Sequence, residues 1–376
     1  MDLRWARLLA ACWVTLSLAA CGSTPSIETA SRPPSSVPAS LVATEQPTAT
    51  PTMTPSAVSS APKCLILPTE APYYALVGWV GNRVVVLSET FPSCGERFEL
   101  LSADPAVGTW RSEAVFTSGM PGDAATDGVS VAFPLEDAIA VTDASGTTRT
   151  IAKPSGLAGD WDSYGLPALP GGGYLVVGVE ELLRVASDGS GLTADPLPTG
   201  FVAVAPTSDP DRFIITPTSD ARVAYGLGRA PFRAYLWDRA IGQKTLVARS
   251  VAAVRPAVPA LGLAFLVSGD NGSTTWSLLR RGGSTRKVAT TDGGTTLAPQ
   301  GTLAVTTGTP DQPSRETRVV DPVTGQVIVD VTALPATGSA WAGDRVAILA
   351  QTQTPRTAEP AVFVVQGARV VRIPMP

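Results

Sequence analysis

The chain of 376 residues contains no histidine. That single absence removes Ser-His-Asp and Cys-His catalysis, histidine-ligated metal sites and every imidazole acid–base mechanism. Charge is scarce as well, with 16% Asp, Glu, Lys and Arg and a formal net charge of −4. Lysine occurs only at Lys63, Lys153, Lys244 and Lys287, and the 28 basic residues gather into no run. The electrostatic footprint of a nucleic-acid binder is therefore missing. No Gly-x-Ser-x-Gly elbow, Walker loop or cysteine pair at zinc spacing is present, so no catalytic residue, cofactor or metal ligand is expected from motifs. Beyond residue 62 no apolar pattern of period 3.6 lasts longer than two turns, which argues against a helical bundle or coiled coil. What the chain has in quantity is 35 Gly and 34 Pro beside 44% hydrophobic residues, the composition of short apolar segments cut by frequent turns.

Arg4 and Arg7 precede an apolar stretch of 13 residues from Leu8 to Ala20. It is long enough for a signal-peptide core and shorter than the roughly 20 residues that span a bilayer. The stretch ends Leu18-Ala19-Ala20-Cys21-Gly22, which resembles the lipobox of bacterial lipoproteins. That resemblance implies cleavage before Cys21, acylation of Cys21 and anchoring of the chain to a cell membrane on its extracytoplasmic side; an ordinary secretory signal is the alternative. Acyl chains contribute about 0.8 kcal/mol per buried methylene, so two or three of them hold a protein on a membrane without any spanning helix. From Gly22 to Pro62, 30 of 41 residues are Ser, Thr, Pro or Ala, a composition that cannot bury enough apolar surface to offset its ordering entropy. It reads as a tether, roughly 35 Å long as a coil and over about 100 Å as polyproline II. The expected organisation is a signal peptide over 1–20, a lipidated tether over 21–62 and a folded domain over 63–376.

Cys64 and Cys94 remain in a compartment that export makes oxidising, so a disulfide between them is expected, with two free thiols as the alternative. A loop of that size would stabilise the domain by roughly 3–4 kcal/mol on the chain-entropy estimate.

The domain itself reads as strand and turn. An apolar strand, a turn with Asp or Gly, and a second strand recur at Ala103–Gly108, Asp143–Gly146, Ser187–Gly191, Asp238–Gly242, Arg281–Gly283, Asp321–Gly325 and Val365–Gly367. These seven hairpins are 39 to 50 residues apart, close to one four-stranded propeller blade per repeat. Before several of them lies a tight turn leading into a strongly apolar strand, as in Leu169-Pro170-Gly171-Gly172-Gly173-Tyr174-Leu175, Ser208-Asp209-Pro210-Asp211-Arg212-Phe213, Leu297-Ala298-Pro299-Gln300-Gly301 and Trp341-Ala342-Gly343-Asp344-Arg345. This Pro-x-x-Gly-x-apolar turn resembles a degenerate WD-like repeat of TolB-type β-propellers, a resemblance spanning most of residues 73–376. The expected fold is an all-β, seven-bladed β-propeller of four-stranded antiparallel blades, with tandem β-sandwiches or six or eight blades as alternatives. Ring closure is expected from packing of blade 7 against blade 1, with residues 64–67 as a candidate edge strand.

Rigid propellers offer loops and a channel mouth to ligands. Asp160, Trp161, Asp162 and Tyr164 place two carboxylates, an indole and a phenol within five residues, which suits a sugar, a peptide or two ligands of a calcium ion; a solvated turn is the plainer reading. Asp209, Asp211 and Asp220 form an acidic group around the start of blade 4, and Arg229 and Arg233 flank Pro231-Phe232 as a candidate anion clamp. Trp79, Trp110, Trp237, Trp276 and Trp341 read as blade packing. The function expected is non-catalytic binding of an envelope protein or polymer, without nucleic acid; the alternative is a calcium-dependent or carboxylate-driven hydrolase.

Overall fold

The computed structural model of the chain describes residues 72–90, 96–117, 124–135, 137–152, 165–221, 231–270, 273–292, 295–307, 316–351 and 359–376. The chain divides into two units, Met1–Ala61 and Pro62–Pro376, and all described residues belong to the second. No helix among them is long and apolar enough to cross a membrane.

Seven antiparallel sheets follow one another along the chain, each built from consecutive strands. Blade 1 contains β1 (Tyr73–Val80), β2 (Arg83–Thr90), β3 (Arg97–Ala103) and β4 (Trp110–Phe116). Blade 2 contains β5 (Ala125–Thr126), β6 (Ser130–Pro134), β7 (Ala138–Asp143) and β8 (Thr148–Ala152). Blade 3 has β9 (Tyr174–Val176), β10 (Glu181–Val185) and β11 (Leu192–Pro196). Blade 4 has β12 (Phe201–Pro206), β13 (Arg212–Pro217), β14 (Phe232–Asp238) and β15 (Gln243–Val251). Blade 5 has β16 (Ala253–Pro256), β17 (Ala264–Asp270), β18 (Ser273–Leu279) and β19 (Thr285–Asp292). Blade 6 has β20 (Thr295–Leu297), β21 (Ala304–Thr306), β22 (Thr317–Val320) and β23 (Val327–Thr332). Blade 7 closes the chain with β24 (Ala336–Ala342), β25 (Arg345–Ala350), β26 (Ala361–Gln366) and β27 (Arg369–Pro374). The protein is a seven-bladed β-propeller, as the hairpin spacing predicts.

All seven hairpins fall between the third and fourth strands of a full blade, or the corresponding pair of blade 3. The recurring aspartate has a local cause. Asp104, Asp143, Asp188 and Asp321 each accept, through Oδ1, the backbone N–H two residues on, at 2.8–2.9 Å. Each fixes the bend by a side-chain mimic of a backbone turn.

Blade 3 departs from the expected four strands. Residues 165–169 occupy the place of its first strand, yet only the bridge Ala168↔Tyr174 joins the ladder. Pro167 and Pro170 have no N–H to give. The segment still accepts from β9 through Leu175 N to Pro167 O at 2.9 Å and Val177 N to Gly165 O at 3.3 Å. The turn beyond it is held by Gly173, whose φ of +85° favours glycine and whose added Cβ would lie 2.4 Å from the Val185 carbonyl oxygen.

Period-2 alternation explains why the middle strands are apolar throughout. In β13, Phe213 and Ile215 pack toward blade 3 while Ile214 packs toward blade 5. In β25, Ala347 and Leu349 face blade 1 whereas Val346 and Ile348 face blade 6. The same sorting gives seven buried clusters, one for each seam of the ring. A strand buried on both faces needs an unbroken apolar run.

Among the described residues the ring closes by side chains, and blades 1 and 7 are each made from consecutive strands. Trp79 Nε1 donates to Ala340 O at 3.0 Å, Gln351 Nε2 to Tyr74 O at 2.8 Å, Trp110 Nε1 to Pro374 O at 2.7 Å and Tyr74 OH to Pro376 O at 2.9 Å. The Arg345 guanidinium lies 4.8 Å from the centre of the Trp79 ring. Packing of blade 7 on blade 1 is thus as expected; residues 64–67 lie outside the described residues. If this seam is as tightly packed as the others, Leu349→Ala costs about 2–5 kcal/mol, no less than Leu175→Ala at the seam between blades 3 and 4. Denaturant unfolding of the two variants checks it.

Candidate functional site

Cys21, Cys64, Cys94, Asp160, Trp161, Asp162, Tyr164 and Arg229 lie outside the described residues. Asp209, Asp211, Asp220 and Arg233 are described, and the three carboxylates do not converge. Asp209 and Asp211 precede β13 and Asp220 follows it, so six residues of strand, roughly 20 Å, separate them.

Each is engaged nearby. Asp211 accepts from Arg239 at 2.6 Å, and Arg239 also reaches Asp195 at 3.1 Å, which in turn pairs with Arg184 at 2.6 Å. Asp209 accepts the Asp211 N–H at 3.1 Å and faces Arg212 at 3.7 Å. Arg212 bonds Asp238 at 3.0 Å and the Arg281 carbonyl of blade 5 at 2.7 Å. Asp209 and Asp211 are therefore part of a network of ion pairs across blades 3 and 4, tied to blade 5 through the Arg281 carbonyl. Arg233 grips Asp220 through Nε at 2.8 Å and Nη2 at 2.9 Å. The Arg233 guanidinium is the main reason the Asp220 carboxyl is held down to about 2.

Two further carboxylates are spent on packing. Glu113, nearly buried, meets Arg83 at 2.8 Å, Arg111 at 2.6 Å and the Ser102 hydroxyl at 2.5 Å. Asp127 joins blade 2 to blade 3. Its Oδ1 accepts the N–H groups of Val129 and Ser130 at 2.9 and 2.8 Å, and its Oδ2 accepts the Gly173 N–H at 2.7 Å and the Ser187 hydroxyl. Burial works against the charged form of Asp127, but the bonds from Ser187, Gly173, Ser130 and Val129 outweigh it and hold its pKa below 3.8.

A different region is left open. The first strands of the blades line the central channel, and where β16, β20 and β24 end, a cavity of about 330 Å³ is bounded by Arg255, Pro256, Thr296, Leu297, Pro299, Ser339 and Trp341. Arg255 has no ion pair or hydrogen bond among the described residues. The residue is exposed to the channel solvent, although the protein atoms crowding it lower its pKa. The Nε1–H of Trp341 is shielded from solvent and has no acceptor among the described residues. Such unmet donors are uncommon in folded proteins. By contrast, Trp79, Trp110 and Trp276 all find acceptors.

Arg255 was not among the residues that the motifs single out, and Trp341 reads from sequence only as blade packing. The repeat does carry a signal. β12 ends Val204-Ala205-Pro206 and β16 ends Val254-Arg255-Pro256, so an arginine replaces a small apolar residue just before the proline that closes an inner strand.

No protein-family model matches the chain, and no curated protein matches it. Solved structures share its fold. The acylaminoacyl peptidase of Pyrococcus horikoshii is 12% identical with a TM-score of 0.51, over 81% of this chain and 52% of that one. A puromycin hydrolase is 15% identical with a TM-score of 0.50, over 82% of this chain and 54% of that one. TolB from Acinetobacter baumannii is 14% identical with a TM-score of 0.40, over 78% and 80%. At these identities the likeness concerns architecture alone.

Asp127→Asn tests the carboxylate clasp between blades 2 and 3. The native pKa lies below the unfolded value, so the stabilisation is present above pH 3.8 and is lost as pH falls through the native pKa. The variant should lose about 1–3 kcal/mol at neutral pH, and its stability should fall less steeply than wild type below pH 3.8. Thermal unfolding across pH 2–7 measures both effects.

Proposed function

We propose that the chain is an exported lipoprotein, anchored in a cell membrane through acylated Cys21 and held off it by the tether, whose propeller binds an envelope component without catalysing a reaction. The observation that carries this reading is the division of labour among charged groups. Glu113, Asp127, Asp195, Asp211, Asp220 and Asp238 are engaged by arginines or backbone donors. Among the described residues, the charged group that lines the channel cavity is the Arg255 guanidinium, and it has no ion pair. Arginine stays protonated at any ordinary pH, so it can hold an anion but cannot shuttle a proton.

Cys21→Ser should move the protein from the membrane fraction to the soluble or secreted fraction; retention on the membrane would overturn the anchor. Crosslinking with mass spectrometry in the native envelope should recover at least one reproducible envelope neighbour, and recovery of none counts against the binding role.

A further inference from the structure

The channel cavity can be read further, on the footing that the propeller is a binding module. Four features of its wall select a ligand. The free Arg255 guanidinium is a planar fork that matches a carboxylate with two parallel bonds. Among the described residues it is the only basic one lining the cavity. A phosphate dianion usually calls for several cations or a cluster of backbone N–H groups. Thr296 and Ser339 present hydroxyls with no partner among the described residues, able both to donate and to accept. Pro256, Leu297, Pro299 and the Trp341 indole supply apolar surface, and the two prolines have no N–H with which to pair a peptide main chain. A volume of about 330 Å³ sits at the small end of ligand sites, which run from roughly 300 to 1,000 Å³.

We propose that this cavity binds an acidic sugar residue, its carboxylate on Arg255, its hydroxyls on Thr296 and Ser339, and a C–H face against Trp341. Arg255 is exposed and has no partner among the described residues, so its loss should harm binding but not folding.

The test uses the full lipidated chain in non-ionic detergent, titrated calorimetrically with sodium glucuronate, and in parallel with glucose, inorganic phosphate and an N-acetylated dipeptide acid. Glucuronate should bind saturably and at least about tenfold more tightly than each of the others. Arg255→Met should weaken glucuronate binding by about tenfold or more while leaving the thermal midpoint unchanged or higher. Equal binding of glucuronate and glucose would remove Arg255 from the recognition. Phosphate binding as tight as glucuronate would make the site a general anion site, and preference for the dipeptide would make it a peptide site; either result overturns the proposal, as does the absence of glucuronate binding. Should Arg255→Met unfold, Arg255→Lys keeps the charge but loses the fork and should still weaken binding several-fold; undiminished binding there overturns the proposal. An envelope neighbour recovered by crosslinking together with no glucuronate binding would sink this assignment and leave the broader binding role standing.

Discussion

Burial on both faces of every blade is the constraint from which the rest of this structure follows. A lone four-stranded sheet with apolar residues on both surfaces would expose one of them to water; set radially, each sheet hides both. Neighbouring residues of a middle strand therefore belong to different cores. Phe265 and Val267 pack toward blade 6, while Leu266 between them packs toward blade 4. A charge placed at such a position would be desolvated on either side, which is why charged side chains concentrate on outer strands such as β8 and β15 and at the turns.

The first turn of each blade has a second role. At six seams it touches the adjoining blade through hydrogen bonds: Gly81 N to Gly128 O, Gly173 N to Asp127, Ser208 N to Leu263 O, Val258 N to Pro299 O, Gln300 Nε2 to Gly343 O and Arg345 to Asn82. Backbone polar groups that would otherwise end a ladder unpaired are satisfied across the gap. The degenerate Pro-x-x-Gly pattern persists because this turn must both reverse the strand and reach its neighbour, and differing chemistry achieves that: glycine amides at blades 1 and 3, a carboxylate at blade 2, a glutamine at blade 6.

Hairpin spacing and Asp-containing turns made blade number and order legible in the sequence, since both arise from local chemistry repeated seven times. The first strand of blade 3 was not legible, because Pro167 and Pro170 break the strand pattern while tertiary contact keeps the segment in place. The fate of Asp209 and Asp211 was also hidden: Arg239 comes beside Asp211 only when the two turns of blade 4 pack together, and Asp195 of blade 3 reaches Arg239 only when adjacent blades meet. The channel cavity was least visible of all. Its one charged member among the described residues, Arg255, is marked only by comparison with the matching strand end of blade 4, and that comparison does not tell that the arginine lacks a partner.

The first and last described strands meet at one seam without exchanging a strand, so the circle is fastened by a latch and not by a weld. Parting blade 1 from blade 7 would leave both sheets with every rung of their ladders intact, and the loss would fall on greasy contacts and a handful of indole, phenol and amide bonds. Among the described residues, the joint that turns a row of sheets into a circle thus relies on the same kind of side-chain packing as the six that merely extend the row.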